Sequence, residues 1–419
     1  MKYTGFLCGA FSTMNNFIAY GNWHCIDIDN AEHEQICNYY YPEFVDFNFG
    51  LNNYSIKRYI MNISKEIPIE VGHDENTHNV NTFINNITLY QFPFQLMLFS
   101  ICIEMQCTDN DVTAVVSNLR NINTICNKNK RYAETILSPL MEVYRKISPS
   151  AKLIINKEDA MCYQRLIEYG NKLKVFQIAS IDKPQNENFD YEKLLFELGT
   201  VAPINSYNPE DDFSPSKAYL EKTMKNNCIS IFNNWKGLSL FDTFTLLGHN
   251  ISKGSIENWV NNYFNMIYIS ELFIKFYLFR LNNDFRINHE HADKLLEEFD
   301  EFEYNCWFDH ISYNFLPRII HQSIEKGLEI LPEKQKLYKM IERQKDKREQ
   351  KVEQRMNNLL FYLTLFTTFS MVWDASSLFN EMYPYETYMG SNIEGFRLVS
   401  YTLLLVVLLL IILTRFKKR

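Results

Sequence analysis

The sequence predicts an α/β domain followed by long α-helices and a two-helix transmembrane segment. Three observations predict it. Two stretches near the end of the chain, Met356 to Trp373 and Leu398 to Thr414, hold no charged side chain, and each is in the range that crosses a bilayer core as a helix, roughly 17 to 25 residues. Just ahead of them, Leu331 to Arg355 is a charged helical run with nine Lys/Arg against five Asp/Glu. Earlier still, short segments of aromatic and β-branched residues give way to helical patterns, the order of elements that makes a layered α/β domain. The expected organisation is a cytoplasmic α/β domain over 1–253, a cytoplasmic helical bundle and stalk over 254–355, a first transmembrane helix over 356–375, an external acidic loop over 376–396, a second transmembrane helix over 397–415 and a basic tail over 416–419.

In chain order, Tyr3 to Phe11, Trp23 to Asp29, Tyr54 to Ile63 and Ile67 to Val71 read as strands, separated by Asn, Gly and Asp. Asn85 to Ile103 is uncharged but carries Asn85, Asn86, Gln91, Pro93 and Gln95, and reads as a long buried strand or hairpin. Asp109 opens a helix in which Val112, Val115, Val116 and Leu119 recur at helical spacing. Another helix covers Arg131 to Ile147, with Pro139 as its bend, and Ala151 to Ile155 and Leu173 to Ile181 are further strands. Asp182 to Ser216, with four Pro and many Asn, Asp and Ser, reads as surface loops, and Cys228 to Leu247 returns to sheet. Ile256 to Leu281 is apolar nearly all round, the pattern of a buried helix. His289 to Tyr313 pairs an apolar stripe with an acidic face, and Pro317 breaks the run before Ile319 to Ile330. From Glu333 to Trp373 there is no stop signal, so one long helix is expected, beginning beside Pro332.

Composition bounds the function classes. The chain has 419 residues, 46% of them hydrophobic, enough for two or three packed domains. Its net charge is -8, and residues 1–330 hold 28 basic against 41 acidic side chains. That balance argues against a nucleic-acid groove, which needs a basic footprint. Nine Cys with no C-x-x-C pair read as reduced thiols of a cytosolic compartment. The basic flank before the first stretch and the tail Arg415 to Arg419, set against Asp374, Glu381, Glu386 and Glu394 between the spans, place both termini in the cytoplasm.

Asn357, Thr364, Thr367 and Asp374 form one polar stripe on the first span, which in a symmetric oligomer lines a central path for a cation. The alternative is that the hydroxyls bond back to their own helix. Glu381, Glu386 and Glu394 form an external acidic rim. His73, Asp74, Glu75 and His78, and His289, Glu290, His291 and Asp293, are two polar groups able to hold a divalent ion, and solvated loop positions explain them as well. No P-loop, G-x-G-x-x-G or G-x-S-x-G occurs, so an enzyme is not expected.

The order of parts resembles the CorA family of divalent-cation transporters. The resemblance implies a CorA-like funnel: a homo-oligomer, pentamer or tetramer, set in the inner membrane, whose first spans line the pore, with Mg²⁺ as permeant or regulatory ion. Where typical members carry Gly-Met-Asn, this chain has Trp373-Asp374-Ala375-Ser376. In that departure and in its large N-terminal domain it is similar to divergent CorA-like membrane effectors of type III CRISPR loci, for which a nucleotide second messenger is the implied ligand. The resulting expectation is a cation channel gated by a ligand on its cytoplasmic domain. A housekeeping Mg²⁺ transporter and a membrane-tethered, non-conducting ligand-binding module are the alternatives.

Overall fold

The first strand of the chain is apolar on both faces, and the other layers are built around it. In the computed structural model, residues 1–382 are described except 51, 73–76, 149–159, 171, 182–189, 203–214, 262 and 288–291, and beyond 382 only Leu405. The described strands are β1 (Lys2–Ser12), β2 (His24–Cys25), β3 (Lys57–Val71), β4 (His78–Phe92), β5 (Leu96–Gln106), β6 (Lys174–Ile181), β7 (Cys228–Ile229), β8 (Trp235–Leu240) and β9 (Thr243–His249). They form one sheet in the order β2, β3, β4, β5, β1, β6, β9, β8, β7. All neighbours are antiparallel except β6 and β9, which run parallel.

Side chains alternate across a strand, so β1 feeds two cores. Tyr3, Leu7 and Phe11 enter one of them, while Phe6 meets Phe176 of β6 on the opposite face, ring centroids 5.9 Å apart. Gly9 lies at the crowded centre of the first face, where a Cβ would stand 2.4 Å from the Phe99 ring. The described helices are α1 (Asn30–Cys37), α2 (Pro42–Phe49), α3 (Asp109–Leu119), α4 (Ile122–Lys128), α5 (Lys130–Tyr132), α6 (Ser138–Ile147), α7 (Ala160–Tyr163), α8 (Tyr191–Thr200), α9 (Lys217–Asn227), α10 (Lys253–Asn261), α11 (Phe264–Ile287), α12 (Ala292–Cys306), α13 (Phe315–Gly327) and α14 (Ile330–Met382). Val112, Val116, Leu140, Tyr144 and Leu195 of α3, α6 and α8 close the first core. On the other face, Phe273 of α11 stacks on Phe92 at 4.2 Å and Tyr268 meets Phe176 at 5.7 Å.

Several sequence expectations resolve into different elements. The two segments Tyr54 to Ile63 and Ile67 to Val71 are one strand, β3, whose register shifts between Asn62 and Lys65, with Ser64 at φ 45°. Asn85 to Ile103 is the hairpin of β4 and β5. Between α5 and α6, Ala133–Leu137 is a π-helical turn, so the helical run loosens just before Pro139. The long apolar helix divides after Asn261, and α8 lies within the stretch read as loops. The expected strand Ala151 to Ile155 falls outside the described residues.

The chain separates into two units, Met1–Lys339 and Met340–Arg419. In the second, α14 continues to Met382 as expected of one long helix, but no helix among the described residues is long and apolar enough to cross a membrane. This corrects the transmembrane half of the expected fold class, the funnel built from it, and the inner-membrane location with cytoplasmic termini. The physical reason is that a run without charges is not thereby apolar. Asn357, Asn358, Thr364, Thr367, Thr368 and Ser370 dilute the stretch assigned to a first span over 356–375, and Asp374 closes it; amides and carboxylates are costly in hydrocarbon. The second stretch, 397–415, and the tail lie outside the described residues.

Candidate functional site

The site is built where the turn between β4 and β5 meets α11. Phe94 and Gln95 of that turn both hold left-handed backbone, φ 57° and 59°. Side-chain-bearing residues other than Asn and Asp rarely adopt that conformation, which costs of order 1–3 kcal/mol per residue unless the surroundings enforce it. Here they do. The Thr13 amide donates to the Gln95 carbonyl at 2.9 Å, Arg280 donates to the Phe94 carbonyl, and the Phe94 ring packs 5.1 Å from Tyr277 and 5.9 Å from Phe302.

Helix α11 is buried along most of its length, so each polar side chain on it needs a partner. Arg280 donates through its second terminal nitrogen to Glu298 of α12, and its Nε stays buried without a hydrogen bond to the described residues. One helical turn on, Asn283 and Asp284 line the same cavity, of about 660 Å³, together with Ser12, Thr13, Gln95, Glu168, Tyr169, Phe279 and Lys294. Glu168 accepts from the Ser12 amide at 2.8 Å and from the Tyr144 hydroxyl at 3.1 Å. The hydroxyls of Ser12 and Tyr169 bond each other, and burial pushes the Tyr169 phenol up to about 12. Asp284 differs from its neighbours. It makes no hydrogen bond to the described residues, and partial burial raises its carboxyl above the ordinary range although Arg280 pulls the other way.

The cavity thus holds three carboxylates, two cations, two amides and three aromatic rings, at a volume typical of small-ligand sites. Its back wall is tied to the rest of the first unit through α11. Glu271 pairs with His321 of α13 at 2.8 Å, Lys275 donates to the Leu328 carbonyl, and Asn282 donates to Glu333 in the first turns of α14 at 3.3 Å.

None of the site residues expected from sequence lies in this cavity. Thr364 donates its hydroxyl to the Leu360 carbonyl at 2.7 Å, and Thr367 and Thr368 donate to the Thr364 carbonyl at 3.0 and 2.7 Å. The hydroxyls of the expected pore stripe are therefore bonded to their own helix. Asn357 and Asp374 are exposed on α14, Glu381 lies within that helix, and Glu386 and Glu394 fall outside the described residues. His78 pairs with Asp111 at 2.8 Å; His73, Asp74 and Glu75, and His289, Glu290 and His291, lie outside the described residues, while Asp293 is exposed in α12. Among the described residues no group of three or more His, Cys, Asp or Glu is placed to hold a metal ion. The sequence feature that bears on this cavity is the cluster Arg280, Asn283 and Asp284 near the end of a mostly apolar helix, but Asn265, Ser270, Glu271, Lys275 and Asn282 interrupt the same helix, so the cluster does not single the site out.

No known family, curated protein or solved structure matches the chain.

Proposed function

We propose that this protein is a ligand-operated sensor whose cavity beside the Phe94-Gln95 turn takes a nucleoside-sized molecule bearing a flat ring and a positively charged donor. The observation that carries this is Asp284, a partly desolvated carboxyl lining a cavity without a hydrogen-bond partner among the described residues. A cationic donor at Asp284 would supply the partner that burial denies it, because an opposite charge within a few ångströms favours the ionised form. Phe94, Tyr169 and Phe279 offer faces for the ring.

A ligand acts as a signal only if it binds two states of the protein with different affinity. Helix α11 is suited to carry such a difference, since the helix that bears Arg280 and Asp284 also holds Glu333 at the start of α14 through Asn282. Thermal melts of the full chain against a panel of nucleosides, with and without an amine substituent, followed by calorimetry, test the ligand. Amine-bearing members should bind, and Asp284→Asn should weaken them at least tenfold, about 1.4 kcal/mol. No binding by any member, or binding that Asp284→Asn leaves unchanged, would sink the reading.

We further propose that the output is self-association through α14. Val352, Met356, Leu359, Leu363 and Phe366 follow one another at alternating steps of four and three residues, with Trp373 one heptad beyond Phe366, and all six are exposed. That spacing is the seam of a coiled coil, which a second copy of the same helix completes. Sedimentation velocity should show a concentration-dependent oligomer that Leu359→Lys with Phe366→Lys converts to monomer. A wild-type chain that stays monomeric at micromolar concentration would refute the self-association.

A further inference from the structure

A second polar cluster lies elsewhere on the first unit, and the cavity does not use it. Arg120, at the end of α3, and Lys174, at the start of β6, both reach Asp242 in the turn between β8 and β9. Arg120 Nη2 stands 2.9 Å from Asp242 Oδ2 and Lys174 bonds Oδ1, so each carboxylate oxygen already has a cation. The two basic side chains are only 7% and 8% exposed. A third cation joins them. Lys275 of α11 places its ammonium 3.7 Å from the centroid of the Phe241 ring, and the Lys174 ammonium is 5.2 Å from the same ring.

Three cations thus stand around one directly bonded carboxylate, with Glu329 and Glu333 also acting on Lys275, in a chain whose net charge is -8. Burial first and the Lys174 charge second hold the Lys275 ammonium down to about 8, outweighing Asp242, Glu329 and Glu333, which act on it only through space. Capping the Leu328 carbonyl at the end of α13 employs one of the three Lys275 donors. It does not account for a second ammonium on the same ring. Nor does it account for Arg120 Nε, which is buried and has no partner among the described residues. Like charges brought together out of water are costly unless an anion joins them.

We propose that Lys275, backed by Lys174 and Arg120, binds a phosphate group. The oxygens of a phosphate accept from several donors at once, as Lys275 and the Arg120 Nε can offer. The site is independent of the ligand proposed above, because it shares no lining side chain with that cavity.

The test uses the full chain with inorganic phosphate and, separately, glycerol 3-phosphate, each against chloride at matched ionic strength. Saturable binding, followed by calorimetry and by ³¹P line broadening, is expected for at least one of them. Binding of glycerol 3-phosphate identifies a site open to a phosphate monoester, and binding of inorganic phosphate alone a site closed around the free ion. Lys275→Met should reduce affinity at least tenfold, and Asp284→Asn should leave it unchanged. For the wild-type chain, affinity should fall as pH rises through about 8, where Lys275 loses its charge; this readout stands even if Lys275→Met fails to fold. Equal effects of phosphate and chloride, wild-type affinity in a folded Lys275→Met chain, or wild-type binding that is flat from pH 7 to 9.5 would each overturn the site.

Discussion

Replacing Asp242 by alanine is expected to destabilise the first unit by roughly 3–5 kcal/mol, the usual cost of removing one partner from a buried ion pair. Asp242 is itself 28% exposed, but the two cations it neutralises are almost fully enclosed. Without the carboxylate, Arg120 and Lys174 would remain desolvated and mutually repelling. The backbone of the turn would persist, since the Asp242 carbonyl also accepts from the Val175 amide at 2.9 Å and the Tyr268 hydroxyl at 3.3 Å. The loss should therefore be electrostatic and not a collapse of the hairpin. Because a folded domain is stable by only about 5–15 kcal/mol, urea unfolding of Asp242→Ala should show a large drop in midpoint with an unchanged slope. A change below about 0.5 kcal/mol would show that water reaches both cations and that the pair is of the surface kind.

The second large effect is expected at Glu271. Its Oε1 lies 2.8 Å from His321 Nε2, with the two side chains 4% and 7% exposed. Glu271→Ala should again cost about 3–5 kcal/mol, whereas Glu271→Leu with His321→Leu should cost less than the single change, because paired charges and a packed apolar pair are closely balanced in a core. The pair also makes stability depend on pH. Burial pulls the His321 imidazole down, but Glu271 outweighs it, with Glu325 and Asp309 adding to the rise, so the net position is above the ordinary 6.5. A base raised on folding contributes stability that is complete below its unfolded value and is lost as pH climbs through the folded one. Glu325 works in the same direction. Burial first and Glu271 second raise its carboxyl above 4.5, with His321 and Lys334 opposing, so its ionisation is penalised in the folded chain. The urea midpoint should fall as pH rises from 6 toward 8.5, and much of that slope should vanish in the double leucine variant. A midpoint that rises with pH over this window would contradict the pairing.

Much of the fold was legible because its causes are local. The aromatic and apolar content of Tyr3 to Phe11 marks β1 and the spacing of Val112, Val115, Val116 and Leu119 marks α3, whose cap is Thr108, one residue ahead of the expected Asp109, its hydroxyl accepting from the Asp111 amide. The absence of any stop signal after Pro332 yields α14. The expectation of a membrane span failed at one identifiable step, where lack of charge over Met356 to Trp373 stood in for apolarity. Two asparagines at its start and three threonines and a serine within it keep that stretch from the hydropathy a span requires.

The candidate site was not legible for a different reason. Phe94 and Gln95 are poor choices for left-handed backbone, and nothing in their neighbourhood of sequence announces it. The turn is held by Arg280, which bonds a carbonyl 186 residues away. Likewise Arg120 and Asp242 are 122 residues apart. By itself, the sequence determined some of the elements, among them β1, α3 and the long helix that takes in Pro332, and that the body of the chain is acidic. Only the tertiary structure decided which charges share a burial site and which carboxyl is left facing a cavity. Periodicity and capping are set by neighbours a few positions away, whereas the partner of a buried charge is chosen by packing across the whole sheet.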